Sequence, residues 1–282
     1  MRDGADEDDP MLWTLKVDDC ATLAAFAPGD CDELALTIEA ATGDGAAAAL
    51  AAWPREKIRL CLPMITRAAA GDGAALRERL RASVAAGHSR WEISQLGQLE
   101  VLRECGAATD DVTADWPLYV MNRDAAEMLF AQGLRRVTAS PEDCRENLRA
   151  LLPALGARLQ VILYQDTPLF TAEACPKSAL WRAKTGGAGR CACDGAPVRL
   201  ANGRGQEYLA LSRACRATVI SAEPYGVSGF LDELVGLGLA AARVDFVNRA
   251  YAPAAAREVW DAVRAGRPVP GAHYGNYLRG LR

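Results

Sequence analysis

The chain has 282 residues, half of them hydrophobic, and a formal net charge of −4 at pH 7. That length suits one large domain of barrel size or two small ones, and the acidic balance argues against broad electrostatic binding of nucleic acid. The longest apolar run, GAAAALAAW at 45–53, is far too short to span a bilayer. With no signal-peptide pattern ahead of it, the expected compartment is the cytoplasm.

RDGADEDDP (2–10) reads as a solvated, disordered acidic tail, so the first segment is drawn at 1–10. Beyond it, short apolar runs alternate with helix-like stretches. The runs are LWTLKV (12–17), ELALTIE (33–39), KIRLCLP (57–63), RWEISQL (90–96), WPLYVMN (116–122), RRVTAS (135–140), RLQVILYQ (158–165) and ARVDFVN (242–248). In SPEDCRENLRALLPALG (140–156), Ser140 or Pro141 opens a helix, acids fill its first turn and Gly156 ends it. Eight β/α units over 11–265 predict an α/β fold, a TIM-like (β/α)8 barrel, with a doubly wound open sheet as runner-up. No Walker or Rossmann glycine pattern is present.

The alternation breaks once, over 166–227, between strands seven and eight. Within that insertion VRLANGRGQEYLAL reads as a β-hairpin, with Asn202-Gly203 expected to supply positive φ angles at its turn. An insertion after a barrel strand lies on the C-terminal face, where barrel enzymes keep their active sites.

Cys175, Cys191, Cys193 and Cys215 bracket this hairpin. In a reducing compartment nine cysteines form no disulfide framework, and clustered ones point to a metal centre or to catalysis. Four thiolates suit an iron–sulfur cluster or a structural Zn²⁺. Zinc knuckles use paired C-x₂₋₄-C spacings and only a C-x-C occurs here, which weakens zinc. Gly186, Gly187 and Gly189 let backbone amides approach sulfur. The bland alternative is four unrelated thiols. Cys61, Cys105 and Cys144 read as core. Cys20 follows strand one on the functional face and is a substitute ligand candidate; Cys31 stays unassigned.

Hydrolytic chemistry finds little support. The two histidines, His88 and His273, belong to no H-E-x-x-H, and YGVSGF (225–230) is not a nucleophile elbow. Polar residues do gather at predicted strand ends: Arg67, Gln95 after strand four, Asn122 after strand five, Glu142 after strand six, Tyr164 and Gln165 on strand seven, and Asp245 on strand eight. Barrel geometry makes them the pocket rim, against a competing reading as loop polarity and helix caps. Arg135, Arg136, Arg145 and Arg149 are weighed as a basic patch, but a solvated helix face is the better reading. GAHYGNYLRGL (271–281) carries two tyrosines, a histidine and an arginine, so the segment 266–282 is expected to fold over the barrel mouth.

VILYQDTPLFTAEACP, CACDG, the NGRG turn and SRACRATVISAEPY together resemble the cysteine-bearing segment of the peptidase U32 (collagenase-like peptidase) family. DWPLYVMN, RRVTASPED and the closing GNYLRGL are similar to its flanking motifs. The resemblance runs from about residue 57 to the end. It implies a TIM-like barrel carrying a 4Fe–4S cluster on Cys175, Cys191, Cys193 and Cys215. It also implies Glu142 and Arg279 as catalytic candidates facing the pocket; the substrate-binding candidates, Arg67, Gln95, Asn122, Tyr164 and Asp245 with Tyr277 of the tail, come from the barrel geometry. Relatives of this kind take part in oxygen-independent hydroxylation of RNA or ubiquinone, with prephenate as the implied co-substrate. The leading expectation is an iron–sulfur hydroxylation enzyme with an RNA base or a quinone as substrate and an electron donor yet to be found. The alternatives are an accessory subunit of a homologous partner, with a structural cluster, and a peptidase as the family name states.

Overall fold

The computed structural model describes residues 11–67, 71–179, 196–213 and 216–280. Eight parallel strands close into a barrel. In chain order they are β1 (Leu12–Val17), β2 (Glu33–Thr37), β3 (Ile58–Cys61), β4 (Trp91–Ile93), β5 (Val112–Ala114), β6 (Arg136–Thr138), β7 (Leu159–Gln165) and, after the insertion, β13 (Ala241–Phe246). β13 pairs with both β7 and β1, and β6 with β7, so no barrel edge is left open. The TIM-like barrel expected from the alternation is therefore the architecture.

Strand five is the one misplaced element. WPLYVMN is not a strand: Trp116–Leu118 form a 3₁₀ turn capped by Asp115, whose carboxylate accepts from the Trp116 N–H at 2.8 Å. Pro117 has no N–H for a sheet ladder, and the true strand is the unremarkable Val-Thr-Ala before it. The helix expected to open at Ser140 or Pro141 instead begins at Arg145, after a turn closed by the Asp143 N–H on Ser140 O.

The outward face of the strands packs under the helices. Trp13, Phe26, Phe246 and Trp260 form one aromatic cluster, with Phe26 stacked on Phe246 at 5.8 Å and set edge-on to Trp260 at 5.7 Å. The helix Pro153 sits in, Arg145–Leu155, buries Leu148, Leu151, Leu152 and Leu155, and Gly156 ends it as expected.

The insertion builds a second, antiparallel sheet in the order β8 (Pro168–Ala172), β11 (Arg216–Ser221), β10 (Glu207–Arg213), β9 (Val198–Ala201). The predicted hairpin is β9–β10, but its turn differs. The connection is five residues long: Asn202 N–H donates to Gln206 O, the Asn202 side chain accepts from the Arg204 and Gln206 N–H groups, and the positive φ (78°) falls on Gly205. A short strand β12 (Tyr225–Gly226) then adds antiparallel to the upper end of β7, on the edge that β6 leaves free above Thr138.

The tail is stitched to this end of the barrel. His273 bridges Tyr225, Arg145 N–H donates to Tyr277 O, and Asn276 Nδ2 donates to Glu142 O. Gly275 (φ 53°) lies where a side chain would meet the Tyr225 ring and Pro141 O, at 3.2 and 3.3 Å, so only glycine lets the tail pass this closely. No helix among the described residues is long and apolar enough to cross a membrane. The acidic segment 1–10 lies outside the described residues.

Candidate active site at the barrel mouth

Alternation along the barrel strands dictates what fills the bore. On LWTLKV, Trp13, Leu15 and Val17 point out, and Thr14 and Lys16 point in. The same rule sends Glu33, Arg59, Glu92, Asp115, Arg136, Gln160, Arg243 and Asp245 inward, all of them buried. Barrel interiors are ordinarily layers of Val, Ile and Leu; this one holds four carboxylates against four cations.

The charges form two tiers. At the N-terminal end Glu33 gathers Arg59 (2.9 Å), Arg90 (2.6 Å) and Arg136, and Asp111 takes the other sides of Arg59 and Arg90 at 2.9 Å each. Burial alone would raise the Glu33 pKa; Arg59, Arg136 and Arg90 outweigh it and hold the acid at about 2. At the mouth Lys16 Nζ binds Glu92 (2.6 Å) and Asp115 (2.8 Å), and Arg243 binds the same two carboxylates at 3.0 and 2.8 Å. Arg243 also pairs with Asp245 at 2.7 Å, which accepts from Gln165 Nε2 at 2.6 Å. Burial opposes the charge on Lys16, but Asp115 and Glu92 keep its ammonium well above the usual range, while Asp115 is held far below the carboxylate range by Lys16 and Arg243. Burial pushes Asp245 up, which Arg243 and Lys16 only partly offset.

This tier restricts the chemistry. Lys16 is no free amine and cannot act as a nucleophile. Glu92 and Asp115 each pair with both Lys16 and Arg243, so neither is a free carboxylate at the mouth.

Above the bore stands the small sheet, tied at both ends. Arg213 reaches Asp18 (2.9 Å) in the loop after β1 and Asn248 O after β13, and Arg216 reaches Asp72 (2.8 Å) at the start of the helix Asp72–Ala85. At the other end Arg249 donates to Ser221 O and Ala222 O while pairing with Asp166 at 2.8 Å. Asp166 also accepts from the Tyr251 hydroxyl. Beneath the sheet is a cleft of about 330 Å³ whose lining includes the apolar Met64, Ile65 and Leu211 and the three arginines Arg67, Arg213 and Arg216. A larger groove of about 1060 Å³ runs between the sheet's turn end and the tail, past Tyr208, His273, Tyr274 and Arg279.

The predicted site residues scatter between these places. Arg67 lines the cleft and Arg279 the groove. Glu142 is exposed on the rim, accepts from the Tyr119 hydroxyl at 3.1 Å, and lies against the tail through Asn276. Asp245 is in the bore. The remaining four are committed to the fold. Gln95 holds the loop after β3 through Met64 O (2.5 Å), and Asn122 caps the helix Arg123–Ala131 through the Ala125 N–H (2.8 Å). Tyr164 turns outward onto Phe246 and Tyr251, its hydroxyl 3.1 Å from that of Tyr251. Tyr277 is buried on Phe230, ring centroids 4.8 Å apart, and anchors the tail. Nor do the four arginines make a patch: Arg136 is inside the bore, and Arg145 and Arg149 both pair with Glu233.

Of the cysteine quartet, Cys191, Cys193 and Cys215 lie outside the described residues. Cys175 is half-buried with its Sγ 3.8 Å from Ser212 Oγ. Ser212 precedes Arg213, which pairs in register with Arg216, and Cys215 falls between those two arginines in sequence. Cys20 donates to Ala40 O (3.7 Å), and burial raises its thiol. Among the described residues no group of three or more His, Cys, Asp or Glu side chains is arranged to hold a metal. Neither histidine is hydrogen-bonded to a Ser or Cys side chain there; His273 Nδ1 accepts from the Gly275 N–H at 3.0 Å.

Sequence reading missed the charged bore, although the signal was present. Parallel strands covered by helices on their outer face read as near-continuous apolar runs when both faces are apolar. A Lys, Arg or Glu at every second position of such strands marks a polar bore. The Asp166–Arg249–Tyr251 anchor had no comparable signal, because it joins loops 83 and 85 residues apart.

No family profile matches the chain, and no curated protein matches it. Among solved structures, the C-terminal domain of a putative chitinase from Desulfitobacterium hafniense is 9% identical, with a TM-score of 0.44, over 91% of this chain and 99% of that one. Catalytic domain 2 of the Ostrinia furnacalis Group II chitinase is 10% identical at 0.40, over 94% and 99%. The Bacillus megaterium spore cortex-lytic enzyme SleL is 8% identical at 0.44, over 95% and 76%. The barrel assignment rests on the strand pairing, and these likenesses add no argument about activity.

Proposed function

We propose that this chain is an iron–sulfur protein of the peptidase U32 type, with a 4Fe–4S cluster on Cys175, Cys191, Cys193 and Cys215, acting in oxygen-independent hydroxylation. The observation that carries the reading is the position of Cys175: its thiol lies beside Ser212, three residues ahead of Cys215, on a sheet mounted over the barrel mouth. Cys175 follows β8, whose Ala172 pairs with Ala217, and so stands at the end of the sheet where Ser212 and Arg213 pair with Ala217 and Arg216. The donor set fits the group, since four thiolates are the usual ligands of such a cluster. When bound, the cluster supplies one-electron redox chemistry.

The chain's own groups supply the rest. The sheet shields the mouth from water on one side. The tail and the β6 rim bring Glu142 and Arg279 to the edge of that mouth, where a carboxylate can take a proton and a guanidinium can hold an anion. The cleft beside Arg67 is the candidate seat for an anionic co-substrate such as prephenate, and the larger groove for an RNA base or a quinone ring.

One observation favours a second reading, an accessory subunit. Asp245, Gln95, Asn122 and Tyr277 are all engaged in holding the fold, which leaves few free polar groups at the mouth. Peptidase activity ranks last, because among the described residues neither histidine is hydrogen-bonded to a Ser or Cys side chain.

The test compares anoxically grown cells of the source organism with the gene intact, deleted, or carrying Cys191→Ser with Cys193→Ser. Mass spectrometry of RNA digests and quinone extracts should show a hydroxylated product present only with the intact gene. A Glu142→Ala or Arg279→Ala chain that keeps full product formation would favour the accessory role. Identical products in all strains would refute the hydroxylation reading.

A further inference from the structure

The three arginines of the cleft are each matched inside the chain: Arg213 by Asp18, Arg216 by Asp72, and Arg67 by Glu173, whose carboxylate also stands 3.7 Å from Arg216 Nε. The three carboxylates are not held alike. Asp18 is 8% exposed and also accepts from the Asn248 N–H. Asp72 takes Arg216 through both of its oxygens and accepts from the Arg67 N–H as well. Glu173 is 61% exposed, just beyond the end of β8, and reaches the two arginines from the solvent side. Exposed ion pairs of this kind are weak and easily exchanged. The same cleft is also lined by Pro63, Met64, Ile65 and Leu211, apolar side chains that cannot neutralise a charge.

We propose that Glu173 is an internal stand-in for a ligand carboxylate: the cleft takes a small amphipathic carboxylate whose head group replaces Glu173 between Arg67 and Arg216, with its apolar body on Met64, Ile65 and Leu211. The charges support one carboxylate between Arg67 and Arg216. With Asp18 and Asp72 retained, displacing Glu173 leaves three arginines facing two acids, one positive charge to be met. A neutral ligand would leave that charge bare. A volume of about 330 Å³ lies at the small end of ligand pockets. Glu173 is two residues from Cys175, so its release frees the segment that carries this thiol, and ligand entry is coupled to the thiol's surroundings. This holds whether or not the cysteines carry a cluster, so failure here leaves the cluster reading standing.

Calorimetric titration of the full chain as purified tests it, with 3-phenylpropanoate as probe and 3-phenylpropanamide and inorganic phosphate as comparators. The carboxylate should bind wild type, and bind Glu173→Gln about twofold to fivefold tighter, the range an exposed competing ion pair sets. Adding Arg216→Gln to Glu173→Gln should weaken binding by about tenfold or more, as expected for loss of a charged partner. If that variant melts early, Arg67→Gln reads the same contact. Equal affinity of Glu173→Gln and wild type, binding of the amide as tight as the acid, or a preference for phosphate would each overturn the proposal.

Discussion

Replacing Glu33 with Gln removes the one carboxylate around which three guanidinium groups gather at the foot of the bore. Arg59 and Arg90 keep Asp111, but Arg136 loses its only ion pair among the described residues, in a setting where the side chain is 10% exposed. Two routes give the cost. Breaking a buried pair by removing one partner costs about 3–5 kcal/mol. Separately, moving an acid from its ordinary 4.5 to about 2 is worth roughly 3 kcal/mol, at about 1.4 kcal/mol per pH unit. The expected loss at pH 7 is therefore about 3–4 kcal/mol, a large share of a total stability of about 5–15 kcal/mol. Urea unfolding followed by tryptophan fluorescence reads it, since Trp91 is fully buried beside this tier. The sign with pH follows from a folded pKa below the unfolded one: the stabilisation is complete above about 4.5 and is lost as pH falls toward about 2. Wild type and Glu33→Gln should therefore converge on acidification. A difference under about 1 kcal/mol at pH 7, or one that widens as pH falls, would refute the view that the carboxylate anchors the three arginines.

Tyr277→Ala should loosen the tail and expose 266–280 to limited proteolysis, with a cost of about 3–5 kcal/mol confined to that segment. Tyr277→Phe should change stability by less than about 1 kcal/mol, because the buried hydroxyl has no partner among the described residues. Asn122→Ala should cost about 1 kcal/mol for the lost cap and leave ligand titrations unchanged, as thermal melting and calorimetry would show. In the β9–β10 turn, Gly205→Ala should cost about 1 kcal/mol and Gly203→Ala much less, a contrast visible in chemical denaturation. Arg249→Met should speed hydrogen exchange in β10 and β11 while barrel amides stay protected.

Most of the barrel was legible because its strands are short apolar runs set between helix-forming stretches. It failed at strand five, where Val112–Ala114 is too short and plain to stand out and the louder WPLYV beside it is a 3₁₀ turn. The hairpin was legible from its alternation, but the turn was assigned to Asn202-Gly203, whereas a five-residue loop moves the left-handed residue to Gly205. The site was read less well. Polar residues at strand ends look alike whether they cap, brace or bind, and only the fold shows that Asn122 caps, Gln95 braces and Tyr164 faces outward. The bore is not legible strand by strand, because its charges balance only when all eight strands close.

The most direct test of the central claim is made on chain purified without oxygen, by its absorbance near 400 nm and by counting iron, sulfide and zinc per chain. A cluster-bearing chain shows a broad band with about four irons and four sulfides, abolished by Cys191→Ser with Cys193→Ser while the barrel still melts cooperatively. A colourless chain holding one zinc, or no metal at all, would contradict that claim.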